Sequence, residues 1–163
     1  MRIGHGIDMH AFVVDEADTT PLVLGGVTIE AHRGLSGHSD ADVLCHAIAD
    51  ALLGAGALGD LGSNFPATQE WAGASGVRIL ERVAELLADA GLAIANVDST
   101  IIAERPRLAA HAERMSAAIA GALGVTTDAV SVKVTSTDAL GALGRGEGIA
   151  AMAVALLDVR VAG

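Results

Sequence analysis

Two histidines and an aspartate carry the plainest chemistry in this chain. Asp8 and His10 stand two apart in the alternating segment from Arg2 to Phe12, and in a strand such residues project from the same face. One carboxylate and one imidazole therefore reach a single point, and His46, in a later helical segment, can supply a third ligand. Two imidazoles and a carboxylate suit zinc, and three protein ligands on a tetrahedral ion leave one position for water or a substrate oxygen. An open position points to catalysis rather than scaffolding. An Asp-x-His pair alone arises readily by chance, and a lone helical histidine is more often packed than ligated. Asp42 and Asp50 add weight, because with His46 they recur at i, i+4 and i+8 on one helical stripe roughly 80° wide. A metal-bound imidazole usually gives its other N–H to a carboxylate, and either aspartate is spaced to receive it.

Two further segments could handle phosphate. Thr135-Ser136-Thr137-Asp138 follows an alternating apolar run and precedes the glycine-rich stretch Gly141 to Gly148. Hydroxyls, backbone N–H groups and a carboxylate at a strand end can hold phosphate and a hydrated divalent cation together, although such runs are more often ordinary turns. The segment Ile102 to Leu108 sets Arg105 and Arg107 beside a helix start, where an anion could bind. Without a ligand it would be a solvated strand-to-helix turn.

Positioning these groups requires alternating strands and helices. Arg2 to His10 reads as a strand, and Leu22 to Leu24 and Val27 to Ile29 flank Gly25-Gly26 as a hairpin. Ser39 or Asp40 is placed to cap a helix through about Leu53, ended by Gly54-Ala55-Gly56. Ser75 caps a second helix with Val77, Leu80, Ala84 and Leu87 as its apolar stripe, closed by Gly91. Val97 to Ala103 is a strand. Pro106 opens a third helix carrying Leu108, Met115, Ile119 and Leu123, and Gly124 stops it. Val130, Val132 and Val134 alternate with polar residues as another strand. The alanines of Ile149 to Val161 would suit a helix, but Met152, Val154 and Leu156 alternate, so the segment is assigned as a strand. The order predicts a mixed sheet with helices on one face. The last strand is apolar on both sides, so the uncovered face is expected to pack against other subunits, although burial within the monomer would give the same pattern.

At 163 residues the chain is expected to be one domain, residues 1–163. Apolar residues make up 52% and aromatic ones 2%, so the core must be built from Ala, Val, Leu and Ile. Twenty acidic against ten basic residues give a net charge of −10, which argues against nucleic acid or an anionic membrane as partner. A phosphorylated substrate would then need local cations. Cys45 is the single cysteine, so no intrachain disulfide forms, and there is no signal peptide or apolar run long enough for a membrane span. These features lead us to expect a cytoplasmic protein.

Four motifs, Gly4-His5-Gly6-Ile7-Asp8-Met9-His10, Gly37-His38-Ser39-Asp40-Ala41-Asp42-Val43, Asp60-Leu61-Gly62 and Gly144-Arg145-Gly146-Glu147-Gly148, resemble in order and spacing the 2-C-methyl-D-erythritol 2,4-cyclodiphosphate synthase family. The similarity spans nearly the whole chain. It implies an α+β fold, a two-layer sandwich with a mixed four-stranded sheet and helices on one face, assembled as a homotrimer with three sheets packed around a three-fold axis and active sites between neighbouring subunits. It also implies one step of non-mevalonate isoprenoid synthesis, in which the 2-phosphate of 4-diphosphocytidyl-2-C-methyl-D-erythritol 2-phosphate attacks the β-phosphorus, releasing CMP and closing a cyclic diphosphate. That would make the protein a phosphorus-oxygen lyase.

By the same resemblance Asp8, His10 and His46 match zinc ligands, and Asp138 matches an acidic residue near a magnesium or manganese ion on the diphosphate. His38 and Ser136 match groups that stabilise developing charge, and His38 and Ser39 match substrate contacts. Asp60 and Gly62 match ribose contacts, and Phe65 and Pro66 begin a loop over the erythritol part. Ala103, Glu104, Arg105, Pro106, Arg107, Leu108 and Ala109 match the cytosine pocket, Thr135, Ser136 and Thr137 the diphosphate cradle. Arg145 and Glu147 match a charged pair near the three-fold axis. Arg107, Asp138 and Ser136 replace the lysine, glutamate and threonine common in the family but keep the functional group, whereas Ala142 does not keep an aromatic or leucine side chain. Ala67 and Gln69 replace acidic residues, and residues 13 to 20 form an acidic loop of unassigned role. A zinc phosphohydrolase would share the metal ligands but release open products. A non-catalytic trimeric binding protein would not need all three ligands. A preceding cytidylyltransferase domain, carried by bifunctional relatives, is not expected in 163 residues.

Overall fold

The computed structural model describes residues 1–15 and 19–159. The acidic loop is thus described only in part, and Arg160 and Val161, expected to end the last strand, lie outside the described residues. The chain runs through β1 (Arg2–Ala11), the hairpin β2 (Leu22–Leu24) and β3 (Val27–Ile29), α1 (Val43–Gly56), a short α2 (Leu61–Asn64) and α3 (Gly76–Asp89). It continues through β4 (Leu92–Ile102), a 3-10 turn at Ala109–His111, α4 (Ala112–Leu123), β5 (Val130–Thr135), a short α5 (Gly141–Gly144) and β6 (Gly148–Val159). The four long strands form one mixed sheet in the order β1-β6-β4-β5. β6 is antiparallel to β1 and β4, while β4 and β5 are parallel, joined by the crossover that contains α4. The fold is α+β, with helices on one face of the sheet.

Alternation decides which face the helices cover. On β1 the residues Gly4 and Gly6 are buried, whereas Ile3 and Met9 on the opposite face are 74% and 65% exposed. On β6, Ile149, Ala151, Ala153, Ala155 and Leu157 are buried under the helices, while Met152 and Val154 look out on the open face. α1 packs against β1 and β6 on one side and α3 on the other, and so is buried around its circumference apart from Asp50 and Gly54. Its backbone lies against β1 at the two glycines. A Cβ on Gly4 would come within 1.9 Å of the Ala51 carbonyl oxygen, and one on Gly6 within 2.0 Å of the Ala47 oxygen. The open face carries Ile3, Ile7, Met9, Met152 and Val154, with an ion pair between Lys133 and Asp98 toward the β4 and β5 side. Among the described residues no helix is long and apolar enough to cross a membrane.

Four boundaries differ from the sequence expectation. α1 begins at Val43 with Asp42 as its N-cap, rather than after Ser39 or Asp40, because Ala41 takes a left-handed φ of 55°. Asp40 instead receives the N–H groups of Asp42 and Gly76, joining the starts of α1 and α3. α1 also runs on to Gly56, since tertiary burial outweighs the weak helix preference of glycine. β4 starts at Leu92, and a register shift between Ile94 and Asn96 breaks the alternation that would have revealed its first half. The third helix starts at Ala112, not Pro106; residues 103–108 run irregularly, with a cis peptide before Pro106. α3 is capped by Ser75 as expected, but its core stripe is Ile79, Leu80, Val83 and Leu87.

Candidate metal centre and nucleotide pocket

The register of α1 on β1 builds the metal centre. Gly4 and Gly6 sit against Ala51 and Ala47, so the next residues on that face, Asp8 and His10, meet the N-terminal part of the helix, where His46 projects. Asp8 Oδ2 lies 3.0 Å from His46 Nδ1 and 3.1 Å from His10 Nε2. One donor atom from each of the three side chains falls within 4.8 Å of the others, the one such convergence of three among the described residues. Two nitrogens and one oxygen gathered this closely fit a zinc ion, whose bonds to them run about 2.0–2.2 Å. The outer nitrogens are also held. His10 Nδ1 is 2.6 Å from the Ser36 carbonyl oxygen, which fixes a proton there and leaves Nε2 free to ligate. His46, only 4% exposed, places Nε2 3.1 Å from Ser39 Oγ.

The expectation that Asp42 or Asp50 would orient His46 is therefore corrected. Asp42 is fully buried and accepts from Gly25, Gly26 and Cys45 N–H at 2.8, 2.7 and 3.1 Å. Asp50 accepts from Leu61 N–H at 2.6 Å. Both carboxyls are raised from the usual range, chiefly by burial. Asp8 shows the opposite balance. Burial pushes its carboxyl up, but the hydrogen bonds and charges of His10 and His46 outweigh this and hold it well below the ordinary value. The Asp8 hydrogen bond correspondingly raises His10.

The cluster opens into a recess of about 280 Å³ whose lining includes His38, Ser39, Leu61, Phe65, Ala67 and Trp71. His38 Nε2 contacts the Thr68 carbonyl oxygen at 3.0 Å, and its own carbonyl accepts from Gly73 N–H. Phe65 packs edge-on against Trp71 at 4.7 Å, and Arg78 stacks over the same indole. Pro66 follows at the exposed edge. Asp60 caps α2: Oδ1 accepts from Ser63 N–H at 2.7 Å, and Ser63 Oγ lies 3.0 Å from the Asp60 nitrogen. The hydrogen bonds from Ser63 lower the Asp60 carboxyl. Gly62 lies two residues on, where an added Cβ would meet only Asp60 Oδ1, at 3.7 Å.

Most of the remaining expected residues line a second, larger cavity of about 1210 Å³, although Thr137 and Asp138, which follow Ser136, are not part of its wall. Its walls include Ala103 to Ala109, Thr135, Ser136 and Arg145. Ala103 N–H donates to the Thr135 carbonyl, which holds the two segments together. Ser136 Oγ is 3.2 Å from Asp138 Oδ1, and Arg145 pairs with Glu147 at 2.7 Å. Glu104, also in that wall, accepts with Oε1 from Thr137 N–H, Thr137 Oγ1 and Ala139 N–H. Phe12 and Arg33, stacked at 5.2 Å, form a wall that sequence reading missed, as it missed Trp71. A lone tryptophan close to Phe65-Pro66 in so aromatic-poor a chain was the available signal.

The two cavities share no lining residue, although Phe12 of the larger follows His10 of the smaller by two positions. Met9, Ala150, Ile102 and Thr135 share one level of the sheet, so Asp8 and Thr135 both lie toward the same end. β6 and β4 intervene between β1 and β5. Three strand spacings, about 14 Å, therefore separate the strands that carry Asp8 and Thr135. The pair expected to stabilise charge, His38 and Ser136, is split between the two cavities.

The sequence profile of the YgbB family matches residues 1–158. The 2-C-methyl-D-erythritol 2,4-cyclodiphosphate synthase of Marinobacter nauticus is 55% identical over 159 residues, covering 97% of this chain and 98% of its own. The Moorella thermoacetica protein of the same name is 53% identical over 164 residues, covering 100% and 98%. Among solved structures, Plasmodium falciparum IspF in complex with CDP superposes with a TM-score of 0.85 at 30% identity, over 98% of this chain and 97% of that one. The bifunctional IspDF of Campylobacter jejuni gives a TM-score of 0.90 at 34% identity, over 97% of this chain and 42% of that one.

Proposed function

The chain belongs to the YgbB family, and from that premise we propose that it converts 4-diphosphocytidyl-2-C-methyl-D-erythritol 2-phosphate to 2-C-methyl-D-erythritol 2,4-cyclodiphosphate and CMP in non-mevalonate isoprenoid biosynthesis. The observation that carries this reading is the convergence of Asp8, His10 and His46 in a chain more than half identical, end to end, to synthases of that name. An oxygen of the 2-phosphate forms a bond to the β-phosphorus while the bond from that phosphorus to the oxygen bridging it to the α-phosphate breaks. The electron pair leaves with CMP, which makes the protein a phosphorus-oxygen lyase. The nucleophile belongs to the substrate, so the protein's work is placement and charge neutralisation.

Asp8, His10 and His46 would hold zinc and Asp138 a magnesium or manganese ion; bound there, the ions withdraw charge from phosphate oxygens. Asp8 and His10 thereby touch the substrate through its phosphate. His38 and Ser136 donate hydrogen bonds to charge developing around the transferred phosphorus, and Ser39 contacts the phosphate. Asp60 Oδ2 accepts from the ribose hydroxyls beside Gly62, and Phe65 and Pro66 cover the erythritol. Ala103 to Ala109 enclose the cytosine, with Arg105 and Arg107 supplying positive charge in an otherwise acidic chain. Thr135 to Thr137 cradle the diphosphate. The CDP complex of the Plasmodium relative supports a cytidine nucleotide as the ligand class.

The protein acts as a homotrimer, with the metal recess of one subunit facing the nucleotide cavity of its neighbour and the three sheets packed around the axis. Two features support this: the expected site residues are divided between two cavities that share no wall residue, and the open sheet face carries Ile3, Ile7, Met9, Met152 and Val154. Arg145 and Glu147 would then lie near the axis. We place the enzyme in the cytoplasm. Phosphorus NMR of products from the cytidylyl substrate tests the function: a cyclic diphosphate with CMP is expected, and open-chain phosphates would instead identify a zinc phosphohydrolase. Light scattering tests the assembly, and an active monomer would refute it.

A further inference from the structure

We infer that Glu104 is a positioning residue: it fixes the segment that presents Asp138, and so ties the cytosine pocket to the diphosphate cradle. The inference rests on the reading of Asp138 as the ligand of the second divalent cation. A single oxygen of Glu104, Oε1, accepts from Thr137 N–H at 2.8 Å, Thr137 Oγ1 at 2.8 Å and Ala139 N–H at 3.2 Å. One residue earlier, Ala103 N–H donates to the Thr135 carbonyl at 3.0 Å. Two short segments more than thirty residues apart are thereby fastened at both ends, with Ser136 to Asp138 between the fastenings.

The held conformation is one the chain resists. Asp138 and Ala139 are consecutive non-glycine residues in the left-handed region, at φ 51° and 64°. A Cβ crowds the backbone there, and such residues persist only where their surroundings fix them. Local contacts supply part of that: Ser136 Oγ bridges to the Asp138 nitrogen and Oδ1, and Leu140 N–H donates to Thr137 O. Ala139 has no polar side chain, and its N–H goes to Glu104. The Thr137 hydroxyl and N–H, then Ala139 N–H, hold the Glu104 carboxyl below its usual range, so it is a charged acceptor at neutral pH. Glu104 stands inside the stretch that lines the cytosine pocket, yet it points its carboxylate at the cation-binding segment. Base occupancy and cation placement therefore share one side chain.

The test uses the full-length, zinc-loaded protein, with amide exchange at Thr137 and Ala139 and calorimetric CDP binding across a manganese titration. Glu104→Ala is expected to raise exchange at both amides by about tenfold or more. It should also raise the manganese concentration that half-saturates CDP binding by about tenfold, with zinc content unchanged. Glu104→Gln keeps an acceptor oxygen and should restore most of both effects. Unchanged exchange in Glu104→Ala overturns the inference, and so does raised exchange with unchanged manganese dependence. If CDP binding by the unmodified protein ignores manganese, the cation reading of Asp138 fails separately, while amide exchange still decides whether Glu104 holds the segment.

Discussion

Gly6→Ala is expected to dismantle the proposed zinc site without changing Asp8, His10 or His46. The new Cβ would sit 2.0 Å from the Ala47 carbonyl oxygen, 2.7 Å from the Ala51 nitrogen and 3.0 Å from Asp50 Cβ. Two of these three contacts are helix backbone, so no side chain can rotate out of the way. Relief even to 3.0 Å requires α1 and β1 to part by about 1 Å, and forced separation of a packed layer costs roughly 1–3 kcal/mol. For a chain of this size that is a fall in melting temperature of about 2–12 °C. The consequence for the metal is larger. His46 precedes Ala47 on α1 and Asp8 follows Gly6 by two on β1, so the same separation opens the 3.0 Å contact between their donor atoms. Zinc distances hold to about ±0.2 Å, and a displacement several times larger should weaken binding by at least the roughly 100-fold seen when ligand support is lost.

The assay is competitive zinc binding against a chelating dye, beside thermal unfolding of the metal-free protein. Gly54→Ala is the contrasting variant. Gly54 lies on the exposed side of the same helix, and a Cβ added there would have no atom within 4 Å, so alanine should stabilise by about 0.5–1 kcal/mol and leave zinc affinity alone. Wild-type zinc affinity in Gly6→Ala would refute the claim that helix-to-strand distance sets the site.

Ser39→Ala should lower zinc affinity about tenfold in the absence of any substrate, by freeing His46 Nε2; an unchanged affinity would confine Ser39 to substrate contact. Asp60→Asn keeps an oxygen for the α2 cap but loses charge, so CMP affinity should fall while the melting temperature holds; calorimetry separates the two. Asp138→Asn should raise the magnesium or manganese requirement sharply and Asp138→Glu should be tolerated, because magnesium binds through few carboxylates and its remaining ligands are phosphate and water; an unaltered metal dependence in Asp138→Asn would reduce Asp138 to a turn residue. Metal-free and zinc-loaded protein should have opposite pH slopes. His10 is raised above 6.5 in the fold, so its contribution to metal-free stability is complete below that pH and is lost as pH climbs through the folded value. Zinc, which needs the neutral ring, binds more tightly over the same climb. Melting curves from pH 6 to 8 with and without zinc would show parallel slopes if His10 were not a ligand.

What the sequence disclosed was governed by the range of the interactions involved. β1, β5 and the Gly25-Gly26 hairpin follow from period-two alternation and turn chemistry within a few residues, and Ser75 is a cap readable on sight. Asp8 and His10 belong to that local class, which is why their convergence was legible. The partner of His46 was not. Helical spacing puts Asp42 on the same stripe, but the side chain is claimed by Gly25 and Gly26 N–H groups seventeen and sixteen residues earlier. The first half of β4 was hidden by its register shift. The division of the site into two cavities depends on the strand order β1-β6-β4-β5, which nothing in local sequence encodes.

That division gives α1 a role beyond holding one histidine. Its N-terminus is fixed by Asp42, a buried carboxylate that must be satisfied because an unpaired one would be costly, and whose acceptors gather both the first turn of the helix and the hairpin turn. Its middle is set on β1 by Gly4 and Gly6. Four residues beyond His46, Asp50 faces the other way along the same stripe and receives the N–H of Leu61, the residue after Asp60. The proposed metal ligand and the proposed ribose contact are thus carried by a single rigid rod, one directly and one through a 2.6 Å hydrogen bond. Asp50 is raised by burial, beside Asp60 and Asp8, and holding a charged group there is justified structurally by that one bond. A substrate bridging zinc and ribose would meet two groups whose spacing is set before it arrives, which is the condition under which binding energy goes into orientation rather than into ordering the protein.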